Sequence, residues 1–215
     1  VVPSGKPFSA NGLSGTFFTT TLTRAGGTSG YRDIWGFGAT TTGAGLINAD
    51  VPTITKLYND IVLYSSTTSA FPNLYPDNKF LLSDMSYTVG VAGIKYGLNV
   101  ATASTTQTRT AAGSLQANGS VLGAQPQVTN GVIGEAIAYE RDLTEAEKQR
   151  VRTYTAIKYG ITLPHNYIAS DGSTVVWNQT TNAGYTSNIA GLANDEGSAL
   201  HQKQSNSINE GQQVL

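Results

Sequence analysis

Polar and apolar residues alternate with a period of two through most of the patterned segments of this chain, and with a helical period only once. The clearest case is Met85, Tyr87, Val89 and Val91, interleaved with Ser86, Thr88, Gly90 and Ala92. Beyond Gly93, the residues Ile94, Tyr96, Leu98 and Val100 are interleaved with Lys95, Gly97, Asn99 and Ala101. Alternation on both sides of a glycine predicts a half-buried antiparallel hairpin whose apolar stripe, Met85/Tyr87 with Ile94/Tyr96, faces a core. Residues 15–23 (GTFFTTTLT) and 31–37 (YRDIWGF) read as further strands, with a glycine-rich turn at 26–30 and a loop at 38–45. Residues 54–64 fit strand or helix, with 61–64 favouring strand, and 65–79 read as a long surface loop. Asn118-Gly119 marks a tight hairpin turn. Residues 131–139 (GVIGEAIAY) predict a strand with Ile133, Glu135, Ile137 and Tyr139 on one face. Its other face is small: Val132, Gly134, Ala136 and Ala138.

The helical period follows at once. Thr144-Glu145-Ala146-Glu147 is a capping box, in which the Thr144 hydroxyl takes the Glu147 amide and Glu147 reaches back. Glu145 and Glu147 suit the positive end of a helix dipole. Val151, Tyr154 and Ile157 recur at helical spacing, and Gly160 and then Pro164 stop the pattern. The spacing predicts a helix over about 144–159, packed through that stripe, with Lys148, Arg150 and Arg152 left in water. Short strand-like runs return at 174–177 and 189–192, and 194–215 is polar. Many strands with one late helix predict an all-β fold, an antiparallel β-sandwich or jelly roll.

Composition agrees with that class. The 215 residues include 28 Thr, 18 Ser, 15 Asn and 24 Gly, which suit pleated surfaces and turns. The 11 Tyr, 6 Phe and 2 Trp, with only 13% charged residues, argue against disorder. Thirteen Lys+Arg against fourteen Asp+Glu leave a formal charge of −1 and no basic block for nucleic acid. With no cysteine there is no disulfide and no thiolate chemistry. No run approaches the ~20 apolar residues of a membrane span. Few charges and many small polar residues suggest a secreted protein. The start at Val1-Val2-Pro3-Ser4, without Met or a signal core, suggests a processed protein or a piece of a longer one.

Ile133 to Glu147 carries a more specific pattern: a glycine–acid–hydrophobic strand ending in Tyr139, then Arg141-Asp142-Leu143-Thr144 and Glu147. It resembles the closing strand and helix of laminin-G-like domains, within the concanavalin A-like lectin/glucanase superfamily. The continuation Tyr154 to Leu163 looks like the version found in large surface and secreted proteins of Bacteroidetes and related bacteria. So do Tyr167-Ile168-Ala169-Ser170-Asp171-Gly172, Trp177, Asn188 to Leu192 and Gln202-Lys203-Gln204-Ser205. The resemblance covers about 131–207 by motif, and 15–123 by strand order only. It implies a laminin-G-like sandwich over 1–163, including the helix. Residues 164–215 then form a β-rich extension, either the start of a second unit or a strand-exchange tail. Such modules carry strands before a segment like 15–23, so the chain is expected to be a fragment or a subunit that borrows strands from a neighbour.

Candidate chemistry is sparse. Glucanases of the superfamily place two carboxylates about 5 Å apart, but on the face of Glu135 the next position is Ile137. His165 and His201 are the only histidines, and no Gly-x-Ser-x-Gly elbow accompanies them. The chain is therefore expected not to be an enzyme. A hard cation wants several loop oxygens. Asp77, Asp171, Asn194, Asp195 and Glu196 lie in short acidic turns that suit calcium, which laminin-G-like domains often hold at the sandwich rim. The same residues also simply make turns. Tyr75, Asn78, Trp177 and Tyr185 are candidate ligand contacts, aromatics beside polar residues as sugar binding requires, although for Trp177, in a strand-like run, core packing is the ordinary fate. The expected function is a non-catalytic bacterial surface module for adhesion or binding of an extracellular protein or glycan. The alternative is a filament or sheath subunit assembled by strand sharing between copies. A glycan-active enzyme ranks third.

Overall fold

A computed structural model describes residues 14–23, 48–50, 54–58, 66–67, 80–88, 91, 95–98, 101–104, 131–185, 193–203, 207–209 and 212–214. The strands are β1 (Ser14–Thr23), β2 (Asn48–Asp50), β3 (Ile54–Tyr58), β4 (Ser66–Thr67), β5 (Phe80–Thr88), β6 (Lys95–Leu98), β7 (Ala101–Ser104) and β8 (Gly131–Tyr139). Helix α1 (Glu145–Tyr159) follows, then β9 (Tyr167–Ile168), β10 (Val175–Trp177), β11 (Ala193–Asp195), β12 (Leu200–Gln202), β13 (Ser207–Asn209) and β14 (Gln212–Val214). The described chain is thus mostly β with one helix. Its expected elements at 31–37, 61–64, 118–119 and 189–192 lie outside the described residues. β4 falls inside the segment expected to be loop and pairs with β3, Leu57 opposite Thr67.

Two compact units divide the chain: residues 1–79 with 83–142, and residues 80–82 with 143–215. The expected boundary after 163 is therefore not where they divide. Helix α1 goes with the segment that follows it, because it packs on β9 and β12.

In the first unit a five-stranded sheet runs β7-β6-β5-β1-β8. The predicted hairpin is present, with Met85 opposite Tyr96 and Ser86 opposite Lys95. Its half-buried character is not found on β5, whereas Lys95 on β6 is exposed. On β5, Ser83, Asp84, Ser86 and Tyr87 are all buried, while Val91 is 56% exposed. Consecutive residues of β5 from Leu81 to Asp84 are buried, so both its faces are covered, and alternation there marks two covered faces rather than core and water. β1 is also buried on both faces from Thr16 to Thr20. Its polar groups are satisfied locally: Thr16 Oγ1 donates to Arg141 O at 2.8 Å, and Thr19 O accepts from Ser83 Oγ at 3.3 Å. Thr20 pairs with Glu135 but Thr21 with Ile133, so β8 bulges at Gly134. There Thr20 Oγ1 takes the Glu135 amide at 2.9 Å. β8 shows the predicted faces up to Ile137, with Glu135 and Ile137 half-buried and Val132, Gly134 and Ala136 exposed, but at its end both Ala138 and Tyr139 are half-buried.

Gly97 sits opposite the buried Asp84. A Cβ there would lie 2.7 Å from Asp84 Oδ2 and 3.1 Å from its carboxyl carbon. Gly97→Ala is expected to lower stability by about 1–3 kcal/mol, because a short buried side chain has little room to yield. Gly184→Ala, whose Cβ meets nothing within 4 Å, is the control in the same urea titration. Equal midpoints for the two variants would disprove the close fit.

In the second unit the capping box forms as expected. Glu147 N donates to Thr144 Oγ1 at 3.3 Å and Thr144 N donates to Glu147 Oε2 at 2.9 Å. Gly160 ends the helix in the left-handed region at φ 68°, donating to Ala156 O. The buried stripe is not the expected one. Lys148 is 3% exposed and Arg152 1%, with Thr155 and Ala156 beside them, whereas Val151, Tyr154 and Ile157 are half-buried. Of the basic residues expected in water, Arg152 is inside with its charge paired to the exposed Glu145, seven residues back on the same stripe. Thr155 Oγ1 returns its bond to Val151 O at 3.0 Å and Arg152 O at 2.9 Å. Leu81, Leu82, Leu143, Ala156, Ile161, Leu163, Tyr167 and Leu200 are the buried apolar residues of this unit. Among the described residues no helix is long and apolar enough to cross a membrane.

Candidate functional site

Most described candidates gather around the β9–β10 ribbon of the second unit. The six residues between its strands carry Asp171, whose Oδ1 accepts the amides of Ser173 and Thr174, both at 2.8 Å. Its Oδ2 accepts the Thr174 hydroxyl at 2.5 Å. These donors, the Thr174 hydroxyl first, pull the Asp171 carboxyl down to about 2. Gly172 takes φ +77° and its N–H bonds Ala169 O at 3.0 Å, which closes the turn.

A second carboxylate ties this turn to the next ribbon. Asp195, at the end of β11, accepts the Ser170 amide at 2.8 Å and the Ser170 hydroxyl at 2.5 Å. The Ser170 hydroxyl holds the Asp195 carboxyl below the usual carboxylate range, against the opposing effect of desolvation. Gly197 closes over the same point, since a Cβ there would run into Ser170 Oγ. From the helix, Arg150 Nη1 donates to Ser170 O at 3.1 Å. Asn194 faces His201 across the β11–β12 pair, its Oδ1 2.6 Å from His201 Nδ1, and Glu196 is exposed in the 3₁₀ turn Glu196–Ser198.

Asp171 and Asp195 thus act as hydrogen-bond acceptors that shape two turns. Among the described residues no three His, Asp or Glu side chains come together as metal ligands. The calcium set expected from Asp171, Asn194, Asp195 and Glu196 is not assembled as a cation cradle by these contacts, and Asp77 lies outside the described residues.

Of the expected ligand contacts, Tyr75 and Asn78 lie outside the described residues, as does the side chain of Tyr185 at the end of the 3₁₀ turn Ala183–Tyr185. Trp177 is half-buried and meets the buried Tyr167 edge to face, centroids 5.7 Å apart at 79°. Of the polar residues that follow it, Asn178 and Asn182 have their side chains engaged in a turn. Asn178 Oδ1 accepts Thr181 N at 3.0 Å, and Asn178 O accepts Asn182 Nδ2 at 2.8 Å. Asn166 Oδ1 accepts Gln179 N at 2.8 Å. Next to Trp177 the ribbon presents two side chains that sequence reasoning missed. Val175 is 45% exposed and Val176 52% exposed. Val-Val-Trp reads as core; the only available signal was the shortness of the run between the turns at 170–174 and 178–182.

A family profile described as a domain of unknown function, DUF8202, matches residues 147–215. Comparison with curated proteins finds none that matches. Among solved structures, a mutant of Trypanosoma rangeli sialidase displaying trans-sialidase activity is 10% identical, covers 62% of this chain and 22% of its own, and has a TM-score of 0.46. The Trypanosoma rangeli sialidase in complex with sialic acid is 10% identical with the same coverages and a TM-score of 0.42. The chain spans about a fifth of the length of these sialidases.

Proposed function

We propose that the chain is a non-catalytic extracellular surface module, a lectin-like antiparallel sandwich of the concanavalin A-like, laminin-G-like kind, that adheres through the β9–β10 ribbon. The sandwich reading is supported by β1 and β5, which are buried on both faces and therefore belong to a layered body. The adhesion reading rests on one observation: Val175 and Val176, about half exposed, stand beside half-buried Trp177 on a stiffened ribbon. The Asp171 turn, the Asp195–Ser170 bonds and the Trp177–Tyr167 contact hold that ribbon before any ligand arrives, so binding loses little conformational entropy. A small apolar anchor with an aromatic neighbour suits an apolar patch of an extracellular protein or the apolar face of a sugar ring.

Strand sharing between copies is the weaker reading. Among the described residues β8 is one edge of the five-stranded sheet. It carries a bulge at Gly134 and a half-buried charge, Glu135, on its inner face. Both features guard an edge against a further strand.

The test is solid-phase binding of the chain to panels of extracellular proteins and glycans, with a Val175→Ser/Val176→Ser variant beside it. Affinity for the retained ligand is expected to fall about tenfold, about 1.4 kcal/mol, with thermal unfolding unchanged. Unchanged binding would remove the ribbon from the reading, and turnover of any glycan in the panel would remove its non-catalytic part.

A further inference from the structure

His165 occupies the short connection between α1 and β9, where burial disfavours the charged ring more than the Asn166 carbonyl favours it. Its Nδ1 lies 2.9 Å from Asn166 O. A carbonyl accepts, so Nδ1 carries the hydrogen and Nε2 is the lone-pair nitrogen. That Nε2 is buried and has no hydrogen-bond partner among the described residues. Two charges of α1 act on the ring: Arg152, which opposes a proton there, and Glu145, which favours one. Arg152 is 1% exposed while the Glu145 side chain is 66% exposed, so the opposing charge is the less screened of the two.

The connection is also a junction. Asn166 O accepts Gln149 Nε2 of α1 at 3.0 Å as well as the His165 ring, and Asn166 Oδ1 holds the Gln179 amide just beyond β10. The next residue, Tyr167, is buried in β9. Movement of the ring toward water would therefore act on bonds at the open end of the β9–β10 ribbon, where β9 begins and β10 has just ended.

We propose that His165 is an acid-sensitive latch: neutral, it closes the α1–β9 connection, and protonated, it is driven out and loosens the Asn166 junction. The new Nε2–H would be a buried donor with no acceptor among the described residues, which disfavours the closed arrangement. The sign follows from linkage. Burial, the largest cause, lowers the folded-state value from the ordinary 6.5, so the unfolded chain binds the proton more readily. The stabilising contribution is complete above about 6.5, declines as the pH falls below it, and levels off below the lowered folded value. This inference does not depend on the adhesion reading, and its test uses no ligand.

The experiment compares the native chain, His165→Gln and His201→Gln in thermal unfolding from pH 7.5 to 5. Gln179 amide exchange is followed in each by NMR. In the native chain and in His201→Gln, Tm is expected to fall by roughly 2–5 °C per pH unit through the window, the effect of one proton on a chain of this size. Gln179 exchange should quicken over the same range. His165→Gln should lack both changes. The proposal is overturned if His165→Gln follows the native chain in both, or if His201→Gln abolishes the fall. Should His165→Gln not fold, the ring of His165 in the native chain decides the matter: a titration midpoint below 6.5 supports the latch, and one at or above it overturns it.

Discussion

Replacing Tyr167 by phenylalanine is expected to lower stability by about 2–4 kcal/mol, because one hydroxyl serves two backbone groups through buried hydrogen bonds. The chain leaves α1 through Gly160 into an irregular segment in which Ile161 and Leu163 are buried while Thr162 and Pro164 are exposed. Backbone in such a segment must find partners outside any regular element. The Tyr167 hydroxyl donates to Ile161 O and accepts from Leu163 N, both at 3.0 Å. Phenylalanine keeps the ring and its edge contact with Trp177, so the variant isolates the hydroxyl. Burial pushes the phenol up to about 12, which keeps it a donor across the ordinary alkaline range. Urea denaturation reads the loss, and a value below about 0.5 kcal/mol would mean that water replaces the hydroxyl.

Phe18→Ala is expected to cost about 3–5 kcal/mol, the largest loss from a single truncation in the first unit. Phe18 is buried in β1 opposite Ile137, with its ring edge-on to Tyr139 at 6.3 Å and 85°. Its strand is hydrogen-bonded to β5 on one side and β8 on the other, so neighbours held on both sides cannot collapse into the space left by the ring. Val132→Ala, on the exposed face of β8, should change stability by less than about 0.5 kcal/mol. Similar losses for the two variants in one titration would show that β1 is not buried as described.

The legible and illegible parts of this protein differ in the range of the interactions that decide them. The helix limits were readable because Thr144, Glu147 and Gly160 act on backbone groups within one turn of themselves. The faces of β8 and the β5–β6 pairing were readable because pleating has a fixed period of two. The helix face was not. Lys148 and Arg152 are buried on the face by which α1 packs on β9 and β12, Arg152 paired with Glu145, whereas hydropathy ranks Val151 and Ile157 ahead of both. The site divides in the same way. Asp171 and Asn178 proved to be turn-makers through neighbours two to four residues away, as their residue types allow. The bond from Ser170 to Asp195 spans 25 positions and had no local sign.

Composition and local pattern by themselves determined a mostly-β chain without cysteine chemistry, with its one described helix capped at both ends and its turns placed by Gly, Asn and Asp. Propensity, capping and pleat periodicity are properties of neighbouring residues, so the chain states them directly. Which polar side chains are buried, which valines are left exposed, and where the compact units divide were decided by tertiary structure alone. Thr16 and Arg141, 125 residues apart, show why: burial of a hydroxyl is tolerable only once its distant acceptor has been brought to it.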